Sequence, residues 1–104
     1  MKNKIVLFYV PFPSEKSVKE ISNQLLEDKL AVCVQSHAVD SKYIWNNKIS
    51  QTKEWVAIFK TNIKNKKSLA RFIKKNHPYD VPCIIELEAN VNKKYAAWMD
   101  SILN

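Results

Sequence analysis

The amino-acid sequence predicts an α+β fold in which helices cover one face of an antiparallel sheet. Short β-rich runs alternate with two segments whose apolar residues recur at helical spacing, in the order β-α-β-β-α-β. A long hairpin lies at the centre of this order, where two β-rich runs within residues 31–61 flank Asn46 and Asn47. A short helical segment follows the last strand. This order is that of a ferredoxin-like fold with an extra C-terminal helix.

The first strand and the first helix are predicted from the N-terminal part of the chain. Residues 5–10 form a continuous apolar run, which is typical of a strand buried on both faces, and Pro11 is expected to end it. Ser14 is predicted as the N-cap of a helix that continues through Lys29, and residues 17–20 offer an alternative capping box. The apolar stripe of this helix consists of Val18, Ile21, Leu25 and Leu26.

The central hairpin is predicted to turn at Asn46-Asn47. The chain contains no glycine, so positions with positive φ are expected to use Asn, Asp or His. The first strand of the hairpin could reach about 50 Å, whereas a compact domain of this size is roughly 33 Å across. We therefore expect the tip to overhang its own core and to be covered by other copies of the chain. A hairpin that curls back onto its own sheet is the alternative. Residues expected to share a face are Val39, Ser41, Tyr43 and Trp45 on the first strand, and Trp55, Ala57 and Phe59 on the second.

A second helix, a last strand and a terminal helix complete the prediction. Asn62 or Asn65 is expected to cap the second helix, whose lysines face water, and residues 77–82 end it because they contain two prolines. Residues 83–88 form the last strand, and Asn92 begins the terminal helix. Right-handed crossovers place both long helices on one face of the sheet, so the first hairpin strand and the last strand occupy opposite edges.

Composition is that of an ordinary globular protein. The chain has 104 residues, of which 46% are hydrophobic and 26% charged, so we expect a single domain over residues 1–104. The apolar run near the N-terminus is too short for a signal peptide or a membrane span. With two cysteines and no disulfide framework, the default expectation is a cytoplasmic, reduced protein that does not bind membranes.

Several motifs, taken together, resemble those of the CutA family of divalent-ion tolerance proteins. Residues 41–49 are similar to the family's S-x-Y-x-W-x-G-K-I run, and residues 77–82 match its H-P-Y-[DE]-x-P signature. Tyr95 and Trp98 match the closing Y-x-x-W. Further matches are Leu30 to Val34, Glu54, and Phe59 to Thr61. The chain departs from the pattern at Gln35-Ser36, at Asn47, where glycine is usual, and at Cys83, where Glu is commoner.

The resemblance implies a homotrimer, similar in architecture to the PII signalling proteins and held together by strand pairing between subunits. It also implies a link to copper and other divalent metals, and it brings no enzymatic reaction. Ser41, His77 and Asp80 are residue types of a catalytic triad, but nothing in the sequence places the serine near the other two. We therefore expect a protein that is not an enzyme and requires no cofactor, and whose downstream partner is unknown.

Three residues are candidate ligands for copper or another soft metal: Cys33, His77 and Cys83, with His37 as a more remote candidate. Within one chain the two cysteines are expected on opposite sheet edges, roughly 14 Å apart. A shared Cu(I) site would therefore require two subunits. The alternative is that both cysteines are small core residues and that His77 is a cation at a helix end.

A cleft between subunits is the second candidate site, because aromatic and polar residues cluster in the same motifs. In the alternative interpretation these residues simply pack in the core between subunits. Tyr95 is a further aromatic of this group. The candidate lining residues are Ser41, Tyr43, Trp45, Glu54, Trp55, Lys60, Tyr79 and Trp98.

An RNA-binding module is the rival functional class, because RNA-recognition domains share the order β-α-β-β-α-β. The net charge of +7 favours it. The decisive third-strand motif is absent, since residues 53–59 contain no glycine and place an acidic residue beside Trp55. The lysines are also expected on a helix, away from a sheet platform. Nucleic-acid binding is therefore the less favoured prediction.

Overall fold

The computed structural model describes residues 3–103. Its strands are β1 (Lys4–Phe12), β2 (Cys33–Trp45), β3 (Lys48–Thr61) and β4 (Ile85–Asn90), and its helices are α1 (Glu15–Glu27), α2 (Lys66–Asn76) and α3 (Lys93–Ile102). The strands form one antiparallel sheet in the order β2-β3-β1-β4. The predicted ferredoxin-like fold with an extra C-terminal helix is therefore confirmed, and β2 and β4 are the opposite edges.

One face of the sheet forms the main core beneath α1 and α2. Phe8 of β1 and Phe59 of β3 are directly opposite each other in the sheet, and neither has any exposed surface. Leu25 of α1 and Leu69 of α2 belong to the same buried cluster. Because alternate residues of a strand point to one face, the predicted grouping of Trp55, Ala57 and Phe59 places these three side chains under the helices.

On the other face of the sheet, α3 covers one end. Ile5 packs there against Met99. Further along this face, Tyr9 is 36% exposed, Ile85 42% and Leu87 53%. The sequence predicts that β1 is buried on both faces, and within one chain this holds only in part. We define the surface formed by Tyr9, Ile85 and Leu87 as the open face.

Strand β1 continues through Pro11 to Phe12, whereas the sequence predicts an end at Pro11. The reason is the register of the neighbouring strands. β4 pairs with β1 only from Lys4 to Tyr9, so beyond Tyr9 β1 has β3 as its single partner. The Pro11 carbonyl faces His77 Nε2 and not β3, so the Pro11 nitrogen on the same side of the strand has no ladder partner to lose.

The hairpin overhangs the core, as expected. Asn46 and Asn47 form the turn with φ of 51° and 61°. Strands β2 and β3 pair continuously up to this turn, and the side chains of Ile44 and Ile49 near the tip are largely exposed. The molecule is 47 Å long along its longest axis, by 26 and 21 Å across. The alternative of a hairpin curled back onto its own sheet is therefore wrong.

Local signals differ from the prediction at several element ends. Ser14 is the N-cap of α1, as predicted, and its capping box closes with Ser17, so the alternative box of residues 17–20 is not formed. Helix α1 ends at Glu27, and Lys29 follows with φ of 56°, whereas the sequence predicts positive φ only at Asn, Asp or His. This left-handed residue ends the helix in the place that glycine usually takes, since the Leu30 N–H donates to the Leu25 carbonyl.

The segment after the hairpin contains two further corrections. The Asn62 side chain accepts a hydrogen bond from the Asn65 N–H and caps a short 3₁₀ turn, Ile63–Asn65, that leads into α2. Strand β4 begins at Ile85, so Cys83 belongs to the preceding loop.

No helix within residues 3–103 is long and apolar enough to cross a membrane.

Candidate functional site

A cleft of ≈ 510 Å³ lies between the hairpin and the loop that joins α2 to β4. Its hairpin side is formed by β2 and β3, and its loop side by the residues that follow His77. The strand register places Val39 of β2 directly opposite Glu54 of β3, so Glu54 faces the same side of the sheet as the aromatic residues of β2. The lining residues are Pro11, Tyr43, Trp45, Glu54, Pro78, Tyr79, Asp80, Val81 and Cys83.

The two sides of the cleft are joined by a hydrogen bond between Tyr79 and Glu54. The Tyr79 hydroxyl donates to Glu54 Oε2 at 2.7 Å. Burial raises the pKa of Tyr79, and the hydrogen bond to the Glu54 carboxylate raises it further. Tyr79 therefore stays protonated at neutral pH, and its hydroxyl serves as a fixed donor that holds Glu54 in the wall of the cleft.

His77 anchors the loop side of the cleft through both ring nitrogens. Nδ1 accepts a hydrogen bond from the Tyr79 N–H at 3.0 Å, and Nε2 lies 2.8 Å from the Pro11 carbonyl oxygen. Since a carbonyl only accepts, Nε2 carries the proton and the imidazole is neutral. The ring also stacks on Phe12, with centroids 4.4 Å apart. The extension of β1 through Pro11 thus provides the carbonyl that positions the loop.

The expectation that His77 is a cation at the end of α2 is wrong. Burial lowers the pKa of His77, although the Pro11 carbonyl and Glu54 act in the opposite direction. Protonation of Nδ1 would also break the hydrogen bond from the Tyr79 N–H. Desolvation therefore outweighs the attraction of the helix dipole at this position.

His77 is predicted to make the stability of the protein depend on pH. Its folded-state pKa lies below the ordinary value of 6.5, so the unfolded chain binds the proton more readily. The stabilisation is complete above about pH 6.5 and is lost as the pH falls below it. Thermal unfolding followed by circular dichroism between pH 8 and pH 5 should show a melting temperature that decreases on the acid side.

The matched control for this prediction is the other histidine, His37, which is exposed on β2. His77→Gln should lower stability at neutral pH and flatten the acid-side decrease, while His37→Gln should preserve the wild-type profile. An unchanged profile in His77→Gln would show that other groups cause the pH dependence.

Only some of the residues that the sequence predicts to line a cleft between subunits lie around this cleft. Tyr43, Trp45, Glu54 and Tyr79 line it. Trp55 packs against the main core, because neighbouring residues of a strand face opposite sides of the sheet. The other predicted residues lie elsewhere: Ser41 is paired with Thr52 in the hairpin, Lys60 Nζ lies 5.8 Å from the Tyr95 ring centroid, and Trp98 packs against Tyr95 on α3.

Sequence reasoning did not select four of the lining residues, namely Pro11, Pro78, Asp80 and Val81. Three of them belong to the same H-P-Y-[DE]-x-P run as Tyr79, and this motif was the signal that could have identified them. Pro11 had no such signal, because its position depends on a contact with His77 across 66 residues of sequence.

The candidate metal ligands do not come together within one chain. Cys33 begins β2 beside Tyr95, and its proximity adds to the burial that raises the pKa of Tyr95. Cys83 is exposed at the cleft, and neither side chain is a fully buried core residue here. His77 already uses both ring nitrogens. Within residues 3–103 no group of at least three His, Cys, Asp or Glu residues is arranged to hold a metal ion.

The basic residues of α2 lie on the helical side of the sheet, away from the open face. Lys66 forms ion pairs with Glu86 at 3.7 Å and Glu88 at 3.1 Å, both on β4. Lys67, Lys74 and Lys75 are exposed to solvent. This is the arrangement of a solvated helix face, and it does not provide the sheet platform that RNA-recognition domains use.

Taken together, the topology, the overhanging hairpin and the cleft between the hairpin and the loop after α2 define a ferredoxin-like α+β protein with an extended central hairpin. Comparison with known proteins gives the family. The family described as CutA1 divalent ion tolerance protein matches residues 6–102. The chain belongs to this family.

Relatives and solved structures agree with this assignment. The divalent-cation tolerance protein CutA of Thermotoga maritima is 40% identical over 101 residues, covering 95% of this chain and all of the relative. The crystal structure of CutA1 from Pyrococcus horikoshii superposes with a TM-score of 0.91 at 32% identity, over 95% of this chain and 98% of the other. A CutA structure from Archaeoglobus fulgidus, described as a periplasmic divalent cation tolerance protein, gives 0.91 at 29% identity, over 96% and 99% of the two chains.

Proposed function

We propose that this chain forms a homotrimer that acts in tolerance and homeostasis of divalent metals, copper among them, and binds a small ligand in clefts at the subunit boundaries. The observation that carries the proposal is the open face. Tyr9, Ile85 and Leu87 form an apolar surface on the side of the sheet that α1 and α2 leave uncovered. An apolar sheet face of this kind is characteristic of a surface that another subunit covers.

The hairpin supports the same proposal. Ile44, Trp45 and Ile49 are each more than half exposed near the tip, beyond the reach of the chain's own core. A two-stranded ribbon is marginally stable in water, and apolar side chains on it favour association. A second copy would cover much of this exposed apolar surface and bring a neighbouring surface to the cleft beside the hairpin. The number of three subunits rests on the resemblance to the CutA family.

The assembly is tested by light scattering coupled to size-exclusion chromatography. The expected mass is about three times the chain mass of 12.1 kDa, at micromolar concentration. Trp45→Asp should lower this mass because it places a charge on the apolar tip, while Trp98→Asp, on α3, is the matched control. A wild-type monomer would contradict the proposed assembly. An unchanged mass in Trp45→Asp would mean that the tip side chain does not contribute to it.

For metal, we propose an intersubunit Cu(I) site that uses Cys33 together with Cys83, since His77, the other candidate ligand, already uses both ring nitrogens. The positions of the two cysteines support this site: Cys33 begins the edge strand β2, and Cys83 lies two residues before the opposite edge strand β4. Residues from opposite edges approach each other only when two copies meet edge to edge. Thiolates are the ligands that Cu(I) prefers. The exposed thiol of Cys83 is the more accessible of the two.

The copper site is tested by an anaerobic Cu(I) titration against a competing chelator. Wild type should bind Cu(I) with release of protons as the thiols deprotonate. Cys33→Ser and Cys83→Ser should each weaken binding while the oligomer mass stays the same. Binding equal to wild type in both variants would remove the cysteines from the proposal and leave the family's metal association to another mechanism.

Three further parts of the proposal concern chemistry, partners and compartment. We propose that the protein catalyses no reaction, requires no cofactor, and resides in the cytoplasm, where a reducing environment keeps Cys33 and Cys83 as thiols.

The alternative of an RNA-binding module has no observation in its favour beyond topology and net charge. Any binding to RNA should be weak and should decrease steeply with salt, as contacts to phosphates alone do.

A further inference from the structure

We propose that the cleft selects small organic cations that carry a methylated ammonium group. This inference rests on the proposed function of the cleft as a ligand site and names the class of ligand. It follows from the charge of the residues that line the cleft, from the aromatic residues among them, and from the volume of the cleft.

The charge of the cleft is opposite to that of the chain. The protein has a net charge of +7, yet the charged residues that line the cleft are Glu54 and Asp80, with no lysine or arginine among them. Glu54 is held in place by the Tyr79 hydroxyl at 2.7 Å. Within residues 3–103 the Asp80 carboxylate has neither an ion pair nor a side-chain hydrogen bond. An anionic ligand would therefore be repelled at this position, and a cation would be attracted.

The aromatic residues narrow the class of cation. Tyr43, Trp45 and Tyr79 line the same cleft as the two carboxylates. The faces of aromatic rings attract cations, and indole attracts them most strongly. A methylated ammonium group presents apolar methyl groups to these rings and has few or no N–H donors to satisfy. A primary ammonium has three N–H donors, and the aromatic and apolar side chains around the two carboxylates would leave part of them unsatisfied once water is lost.

Size and geometry favour an organic cation over a metal ion. The volume of ≈ 510 Å³ lies within the usual range for small-molecule sites. Within residues 3–103 no cluster of at least three His, Cys, Asp or Glu residues could hold a metal, and the cleft is no exception. The lining therefore combines diffuse negative charge with apolar surface, which suits a bulky, weakly hydrated cation.

The test is isothermal titration calorimetry with choline, using the protein in the assembly state that it adopts. The comparison ligand is the neutral isostere in which a tert-butyl group replaces the trimethylammonium group. Choline should bind, and the isostere should bind at least about tenfold more weakly, because the two differ only in charge. Equal binding of the two ligands, or no binding of choline in the millimolar range, would overturn the inference.

Variants locate the site. Asp80→Asn and Trp45→Ala should each weaken choline binding by about 2- to 30-fold. Trp98→Ala removes a similarly exposed tryptophan outside the cleft and should leave binding unchanged. If Trp45→Ala alters the assembly, its loss of choline binding has a second explanation. The result for Asp80→Asn, a substitution at an exposed loop position, then tests the site. A loss in Trp98→Ala equal to that in the cleft variants would overturn the placement of the site.

Light scattering in the same buffer separates this inference from the proposed function. A trimer that does not bind choline would leave the proposed assembly standing and refute the cation preference. A protein of any other mass that binds choline with the predicted pattern would refute the trimer and support the cation preference.

Discussion

Replacing Phe59 with alanine is expected to lower the free energy of unfolding by about 3–5 kcal/mol. Phe59 has no exposed surface, and its ring packs edge-on against Phe12 with centroids 6.2 Å apart. It lies at the centre of the main core, between the sheet and the two long helices. The substitution removes a large buried apolar area and leaves a cavity that the surrounding side chains fill only in part. A loss of this size is a large fraction of the stability of an ordinary domain.

Urea unfolding followed by circular dichroism measures the effect, at one fixed protein concentration because assembly contributes to apparent stability. Phe72→Ala is the matched control. Phe72 lies on α2 at the margin of the same core and is only partly buried, so its loss should cost about half as much or less. Equal losses of unfolding free energy in the two variants would mean that the complete burial of Phe59 does not make it more important to the core than the partly buried Phe72.

Leu87→Lys is expected to separate the subunits. Leu87 lies opposite Leu7 in the pairing of β4 with β1, and its side chain is 53% exposed on the open face. In an assembly that covers this face, the substitution would bury a charge in each copy without a partner, which costs several kcal/mol. The mass from light scattering should decrease from about three times 12.1 kDa towards 12.1 kDa, with the fold of each chain retained.

Ile63→Lys is the control for this substitution. Ile63 is 42% exposed in the 3₁₀ turn before α2, outside the open face. The same change of side chain should therefore leave the mass unchanged. If Leu87→Lys keeps the wild-type mass, the open face is not an interface between subunits. If both variants dissociate, the effect comes from added charge in general.

The hairpin was predictable from sequence because its determinants are local. Asn46 and Asn47 are the residues that a chain without glycine can place in a tight turn, and the flanking strands alternate in the period that a sheet requires. The element ends were less predictable. Lys29 takes a positive φ that its residue type disfavours, because the contacts of the helix end decide its conformation.

The cleft was predictable only in part, because distant segments build it. The sequence identifies Tyr79 and Glu54 as candidates, but not the contact between their side chains. Strand alternation separates Glu54 from Trp55, Ala57 and Phe59, but it does not reveal that the loop after His77 lies against the face that carries Glu54. The protonation state of His77 likewise depends on the Pro11 carbonyl, which β1 supplies from the other end of the chain.

The two edges of the sheet limit the ways in which copies of this chain can pair. The outer edge of β2 extends over 13 residues and that of β4 over 6, and they lie on opposite sides of the sheet. Pairing of one edge with the other is a heterologous contact, so each copy that is added presents a fresh edge to the next. Such a contact does not stop at two copies. If the rotation between neighbouring copies brings the last copy into contact with the first, the contact closes a ring. If it does not, the same contact repeats and forms a filament. Cyclic closure would therefore protect this protein against fibre growth.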